Sequence, residues 1–289
     1  MLDFNSLLQQ VGIDPARTVV VRHFPVENEL KKVLPWLVVE RPELWRAYQQ
    51  IQWASLEKAM VKAEWVASFI GQEPGHATFA GIFRIGDHEV LDYEGYRAFP
   101  GNSELEELGM GGRTPDMADC LAFDLEPLDH WREWIGHLTI AWPKPYQNWW
   151  RWAGRASFPV RTIEAESRFV RPMPDWQDLV LGWAELRSLP ASWAAALSQW
   201  RGIYYIHDPV REAGYVGSAY GTDNLLGRWR NYARSGHGGN RRLRESRPGD
   251  LSFSILQRTS PDLDPTEVIA LENSWKNRLH TRETGLNAN

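Results

Sequence analysis

The chain has 289 residues, enough for two domains with a hydrophobic core each, and its net charge of −5 argues against a general nucleic-acid binder. A single cysteine, Cys120, excludes disulfide bonds within the chain, and the first residues lack the features of a secretory signal, so we expect a cytoplasmic protein. The longest apolar run, VLPWLVV, is too short to span a bilayer, so no membrane partner is expected.

Residues 1–60 are predicted to be mainly helical, with one strand-like run at 18–21. Short strand-type runs separated by Gly, Pro and Asp then follow over residues 64–166. Their spacing predicts a small, strongly bent sheet or barrel.

Tryptophan is abundant in this part of the chain: fourteen of the sixteen tryptophans precede residue 201. Packing in the core is one explanation. A set of stacking surfaces for a flipped or modified base is the other, since aromatic walls suit such pockets. The candidates for base recognition are Trp142, Trp149, Trp150 and Trp152. A partner-binding or dimerising role for this region stays open beside both.

Residues 171–200 are apolar and poor in Gly and Ser, which predicts a packed helical connector of two helices broken at Leu189-Pro190. The expected organisation is a Trp-rich recognition or regulatory domain over 1–170, this connector, and a compact domain over 201–289. The predicted class is α+β.

The last ninety residues open with GIYYIHDPVREAGYVGSAYG, in which turn residues separate two strand-type runs, about 202–206 and 214–219. This pattern predicts a β-hairpin. A helix over about 223–233, the loop SGHGGN, a short basic helix RRLRES and the strand LSFSILQ follow. A last helix should begin at Pro265, with Asp264 as N-cap and Glu267 in the capping box. Three antiparallel strands flanked by helices are expected.

Positive charge concentrates in the same segment. Residues 201–289 carry 13 Lys and Arg against 10 Asp and Glu, whereas residues 1–200 carry 19 against 27. Twelve of the thirteen cations are arginine, which suits bidentate contacts with phosphate. DNA is therefore expected to meet the protein here, through five candidate backbone contacts: Arg230, Asn240, Arg241, Arg242 and Arg244.

The ordered elements GIY, YVG, the arginine of GRWRNY, the glutamate of ALENSWKNRL and the late asparagine of GLN resemble the GIY-YIG nuclease superfamily over about residues 200–289. The resemblance implies a metal-dependent endonuclease that leaves 5′-phosphate and 3′-hydroxyl ends. It makes Glu272 the one protein ligand of Mg²⁺ or Mn²⁺, Arg228 the group that binds the scissile phosphate, and Asn287 a support of the site.

The same resemblance gives roles to three further side chains. Tyr204 or Tyr215 would be the general base or would position the nucleophile, with Tyr204 favoured as the base. His237 lies where members of the family often have a histidine, and it would bind phosphate or place the nucleophile. Tyr232 departs from the family, many members of which have His four residues after the arginine, although a hydroxyl can still accept or relay a proton.

Ordinary structural roles compete with these assignments. Glu272 would pair with Lys276 one helical turn later, the tyrosines would be strand aromatics, and the arginines would form a solvated helix face. The function expected is restriction of foreign DNA, with dependence on base modification and the use of a homodimer left open. The alternatives are a DNA-repair nuclease and a non-catalytic protein that binds nucleic acid or a partner.

Overall fold

A computed structural model describes residues 2–170 and 172–288 and divides the chain into two compact units, residues 1–171 and 172–289. The first unit contains a curled seven-stranded sheet with helices. Its elements, in chain order, are α1 (Phe4–Gln10), β1 (Thr18–His23), α2 (Asn28–Glu40), α3 (Pro42–Gln50), α4 (Ala54–Met60), β2 (Trp65–Ile70), β3 (His76–Leu91), α5 (Tyr93–Ala98), α6 (Asn102–Glu107), β4 (Cys120–Pro127), β5 (Leu138–Ala141), β6 (Trp150–Trp152) and β7 (Val160–Ile163).

The strand order of this sheet is β6-β1-β2-β3-β5-β7, and β4 pairs with β3. Only β1 and β2 run parallel; the other pairs are antiparallel. The predicted bent sheet therefore forms, but it takes in the early strand β1, and its end strands β6 and β7 do not pair within the described ranges. A closed barrel was the wrong alternative.

The core of the first unit explains part of the tryptophan content. Phe4, Phe69 and Phe79 meet with ring centroids 5.1 to 5.9 Å apart, the spacing of favourable aromatic pairs. Trp142 is buried in the same cluster and donates its indole N–H to the Asn148 carbonyl over 2.8 Å. This indole therefore packs the core.

The second unit contains a four-stranded antiparallel sheet in the order β10-β9-β11-β8. Its elements are β8 (Val180–Gly182), α7 (Trp183–Arg187), α8 (Ala191–Gln199), β9 (Arg201–Asp208), β10 (Ala213–Ala219), α9 (Asn224–Ser235), β11 (Ser252–Thr259) and α10 (Pro265–Arg278). The helix α10 begins as predicted, because the Asp264 carboxylate accepts from Thr266 N–H and the Glu267 carboxylate accepts from Asp264 N–H.

Two expectations for this unit were wrong. Three strands were expected, but the beginning of the supposed helical connector forms the edge strand β8, with Leu181 buried opposite Phe253 and Val180 exposed. That alternation is typical of a half-buried strand. The basic segment RRLRES forms only a short 3-10 turn at Leu243–Glu245 in place of a helix. Across the ranges that the structure covers, no helix combines the length and apolar character that crossing a membrane requires.

Candidate active site on strand β10

Three tyrosines meet between the hairpin and α9. Tyr204 on β9 is 1% exposed, and its hydroxyl lies 3.1 Å from the hydroxyl of Tyr232 on α9. The ring of Tyr215 on β10 lies 6.3 Å from each of the other two rings. Gly217 is opposite Tyr204 across the hairpin, and a Cβ at this position would overlap the Tyr204 phenol. Glycine is therefore required for the tyrosines to pack in this way.

Burial controls the ionisation of two of these phenols. It raises the pKa of Tyr204 well above its usual range; Tyr215 adds to the rise, whereas the Tyr232 hydrogen bond and the Arg228 charge oppose it. Burial raises the pKa of Tyr232 as well, and Tyr204 and Tyr215 raise it further. Both shifts favour the protonated phenol. Tyr215 is the most accessible of the three.

Arg228 lies on α9 one turn before Tyr232, so both side chains are on the same side of the helix. Its side chain is exposed, and no carboxylate of the described ranges forms an ion pair with it. Because the Arg228 charge lowers the pKa of Tyr204, the guanidinium lies within electrostatic range of the tyrosine cluster. An unpaired guanidinium is available for a phosphate.

Glu272 reaches the same strand from α10. Its side chain is 16% exposed; one carboxylate oxygen lies 2.7 Å from the buried ammonium of Lys276, and the other accepts a hydrogen bond from the Ser218 hydroxyl. The expected pair with Lys276 therefore forms, and Ser218 joins it. Ser218 had no sequence signal beyond its place one residue after the YVG triplet.

Strand β10 separates these two groups of side chains. Successive residues of a strand point to opposite faces. Tyr215 contacts Tyr232 on the α9 side, whereas Val216 packs with Val268, and Ser218 binds Glu272, on the α10 side. Arg228 lowers the pKa of Tyr204 and Glu272 raises it, so both charges lie within electrostatic range of this tyrosine.

Asn287 fixes the end of the site. Its side-chain oxygen accepts from the Val216 N–H over 2.9 Å, and its amide donates to the Val216 carbonyl over 2.8 Å. Leu286 N–H donates to the Gly214 carbonyl beside them. Asn287 is buried, so these bonds hold the segment before and after Tyr215 in place.

The glycine-rich loop packs on the tyrosine cluster. The Nδ1 atom of His237 accepts from Gly239 N–H over 2.9 Å, which places the proton of the neutral imidazole on Nε2. Gly238 has a φ of 56°, and a Cβ there would overlap the Tyr232 ring. The loop is thus seated against Tyr232, and His237 shapes the loop through its own ring.

The candidate DNA contacts divide into two groups. Asn240 accepts from the N–H groups of Arg242 and Leu243, and Arg242 donates to the Gly285 carbonyl over 2.8 Å, so both side chains hold the fold together. The remaining three candidates, Arg230, Arg241 and Arg244, are exposed to solvent.

The tryptophans chosen as base-recognition candidates also differ. Trp142 lies in the core, whereas Trp149, Trp150 and Trp152 are half-buried and line a cleft in the first unit. Trp149 also borders a second cavity, whose other walls the sequence did not indicate.

The donors at Glu272 fit a divalent cation held by one carboxylate. Mg²⁺ is commonly bound through one or two carboxylates, with water and substrate phosphate completing its shell. Each carboxylate oxygen has about two lone pairs, so Glu272 can bind Ser218 and Lys276 and still offer an oxygen to a cation. In the ranges 2–170 and 172–288 no group of three His, Cys, Asp or Glu side chains could hold a metal. A cation here would depend on the substrate for further ligands.

Comparisons with known proteins give a match to one part of the chain. No protein-family model matches the sequence, and no curated protein matches it significantly. The chain is similar to a solved structure of the catalytic domain of the intron endonuclease I-TevI, in a mutant form. The identity is 23%, the match covers 32% of this chain and 95% of that domain, and the TM-score is 0.27.

Proposed function

We propose that residues 172–289 form a metal-dependent endonuclease that hydrolyses phosphodiester bonds in DNA. One observation carries the proposal: an unpaired guanidinium and a carboxylate both act on the charge state of Tyr204, which packs against the accessible phenol of Tyr215. These are the groups that phosphodiester hydrolysis uses to bind the phosphate, orient the attacking water and hold a metal ion.

In the proposed reaction the oxygen of a water molecule bonds to phosphorus as the bond from phosphorus to the 3′ oxygen breaks. Arg228 binds the scissile phosphate and stabilises its developing charge. Tyr215, the most accessible phenol, takes the proton of the attacking water while it passes its own hydroxyl proton to solvent, and solvent protonates the leaving 3′ oxygen. Tyr204 and Tyr232 pack against Tyr215 and hold it in place. Glu272 would hold Mg²⁺ or Mn²⁺, and such an ion neutralises charge on the phosphate and the leaving oxygen. The products are a 5′-phosphate and a 3′-hydroxyl.

The test is nicking of supercoiled plasmid in Mg²⁺ and in EDTA. We expect the wild type to cut in Mg²⁺ only and Glu272→Ala to lose cutting, whereas Glu283→Ala, an exposed carboxylate of the same unit, keeps it. Equal activity of the two variants would remove Glu272 from the site. A folded wild type that cuts no plasmid in Mg²⁺ would overturn the proposal.

A second candidate is a protein that binds nucleic acid without cutting it. The observation that favours it is the engagement of both Glu272 oxygens by Lys276 and Ser218, which is how a purely structural carboxylate behaves. In that case the plasmid is retarded on a gel but not nicked, and Glu272→Ala changes stability more than DNA affinity.

We also propose a role in restriction of foreign DNA. One site cuts one strand, so a double-strand break needs two copies of the chain or two successive nicks. Cells that produce the wild type should lower phage plating compared with cells that produce Glu272→Ala. Equal phage plating on the two kinds of cell would show that the nuclease has no role in restriction.

A further inference from the structure

The first unit contains a cavity of about 340 Å³ that none of the proposed nuclease residues touches. We call it the aromatic pocket, since five of its walls are aromatic: Phe24, Tyr48, Trp53, Tyr96 and Trp149. Trp53 is 60% exposed although it is large and apolar. The volume is at the small end of the range for ligand sites, which is about 300–1,000 Å³. It suits a single planar ring with substituents.

A buried imidazole borders the pocket without a partner. His23 is 4% exposed, and its Nε2 atom has no hydrogen bond within the described ranges. Its ring contacts Trp45 and Tyr48 edge-on, at 5.1 and 5.3 Å between centroids. Burial lowers the pKa of His23 to about 3, so the imidazole is neutral at pH 7. An unpaired buried polar group destabilises the fold, and a ligand that hydrogen-bonds to Nε2 would remove this cost.

Neighbouring side chains offer hydrogen-bond acceptors. The Gln52 amide donates to the carbonyls of Tyr48 and Gln49, so its oxygen is the atom left to accept. Asn102 donates in the same way to the Tyr96 carbonyl over 2.8 Å. The Glu27 carboxylate also lines the pocket. Acceptors of this kind bind the exocyclic amino group of cytosine or adenine.

A second cleft, of about 480 Å³, shares Trp149 with the aromatic pocket. Arg151 and Arg155 line it; Arg155 is exposed, and the Nε atom of Arg151 has no partner in the part of the chain that the structure describes. Arginine side chains bind phosphate. A nucleotide whose base lies in the aromatic pocket can therefore place its phosphate in the adjoining cleft.

We propose that the aromatic pocket binds a nucleobase with an exocyclic amino group, cytosine or adenine or a modified form of either, and that the adjoining arginine cleft binds its phosphate. The choice of DNA as the source of the base rests on the proposed nuclease function. Extrusion of a base from a duplex into an aromatic pocket is a known route to such recognition. A free nucleotide presents the same chemistry.

The experiment uses the full chain with Glu272→Ala, so that binding is measured without cutting. Tryptophan fluorescence is followed during titration with dCMP, dAMP and dTMP, and with duplexes that contain a single unpaired cytosine or adenine. We expect saturable quenching by the amino-bearing bases, at least tenfold tighter than by the thymine counterparts. Trp149→Ala should weaken binding about 5- to 150-fold, the range for loss of one stacking partner. Trp176→Ala, a half-buried tryptophan of the other unit, should not weaken it.

The outcomes separate the sources of the base. Binding of duplexes but not of mononucleotides identifies a flipped base, and binding of mononucleotides identifies a free nucleotide. If Trp149→Ala fails to fold, the exposed Trp53→Ala variant replaces it. Absence of saturable quenching by every probe, or unchanged affinity in both variants, overturns the proposal. Failure of plasmid nicking by the wild type would leave this binding result intact, so the two proposals can fail separately.

Discussion

The buried side chains assigned to the site on β10 bind other groups of the protein, whereas two buried side chains of the aromatic pocket have nitrogen atoms that do not. On β10, Tyr204, Glu272 and Asn287 each bind another group of the protein. In the pocket, His23 and its neighbour Arg22 keep nitrogen atoms without partners in the described residues, although both are more than 90% buried.

The difference follows from what each site would have to do. Catalysis gains from groups that are already oriented before the substrate arrives, because no reorganisation is then needed during the reaction. A recognition pocket gains from atoms that only the correct ligand can satisfy, because a wrong ligand leaves them unpaired. The contrast teaches that partnered polar groups indicate a preassembled site, and unpartnered ones a site that a ligand completes.

The largest effect is expected when Glu272 loses its partner Lys276. Lys276→Met leaves the Glu272 carboxylate buried without its ammonium, so we expect the free energy of unfolding of the second unit to fall by about 3–5 kcal/mol. Urea denaturation measures the loss, and Mg²⁺ should restore part of it by binding the freed carboxylate. The double variant with Glu272→Gln should recover most of the stability; equal instability of single and double variants would contradict a stabilising pair.

Loss of the unpaired guanidinium should affect activity and leave stability unchanged. Arg228→Ala is expected to lower kcat for plasmid nicking about 10²- to 10³-fold, as loss of a charge-stabilising donor does. Arg234→Ala, an exposed arginine on the same helix, is the matched control. Similar losses in the two variants would mean that α9 contributes only general positive charge.

Tyr215 and Tyr204 differ in exposure, so we expect their substitution by Phe to lower kcat to different extents. Tyr215→Phe should lower kcat about 100-fold, the low end for loss of a general acid–base group. Tyr204→Phe should lower it less than about tenfold, because burial keeps that phenol protonated and removed from the substrate. Single-turnover nicking rates of the two variants measure these losses. A larger loss in Tyr204→Phe than in Tyr215→Phe would indicate Tyr204 as the base.

The smallest expected effect is the pH dependence of stability that His23 of the aromatic pocket causes. The pKa of His23 is about 3 in the folded chain, below its ordinary value of 6.5, so the unfolded chain binds a proton first as pH falls. His23 therefore makes the first unit lose stability below pH 6.5, by about 2 kcal/mol between pH 6.5 and 5 at about 1.4 kcal/mol per pH unit.

Urea midpoints at pH 7, 6 and 5 test this expectation. His23→Asn should be less sensitive to pH by that amount, whereas the exposed His130→Asn should behave as the wild type does. A His23→Asn slope equal to that of the wild type would mean that the imidazole has a partner in solution.

Local signals made much of the second unit predictable from sequence. The hairpin and α10 form where the turn residues and the Asp264–Pro265–Glu267 cap predict them. Strand β8 was not predictable, because three residues become a strand only by pairing with β11. The contact of Ser218 with Glu272 joins residues 54 positions apart, and no motif contains both. The residues that line the aromatic pocket range from Arg22 to Trp149, so it too arises only in the folded unit.

The bonds between Asn287 and Val216 have a consequence for self-association. Strand β10 ends its sheet, and a strand with free N–H and C=O groups is a template for pairing with another chain. The Asn287 side-chain amide hydrogen-bonds to both the N–H and the C=O of Val216, as a neighbouring strand would. A second copy of the chain is therefore prevented from extending the sheet at Val216.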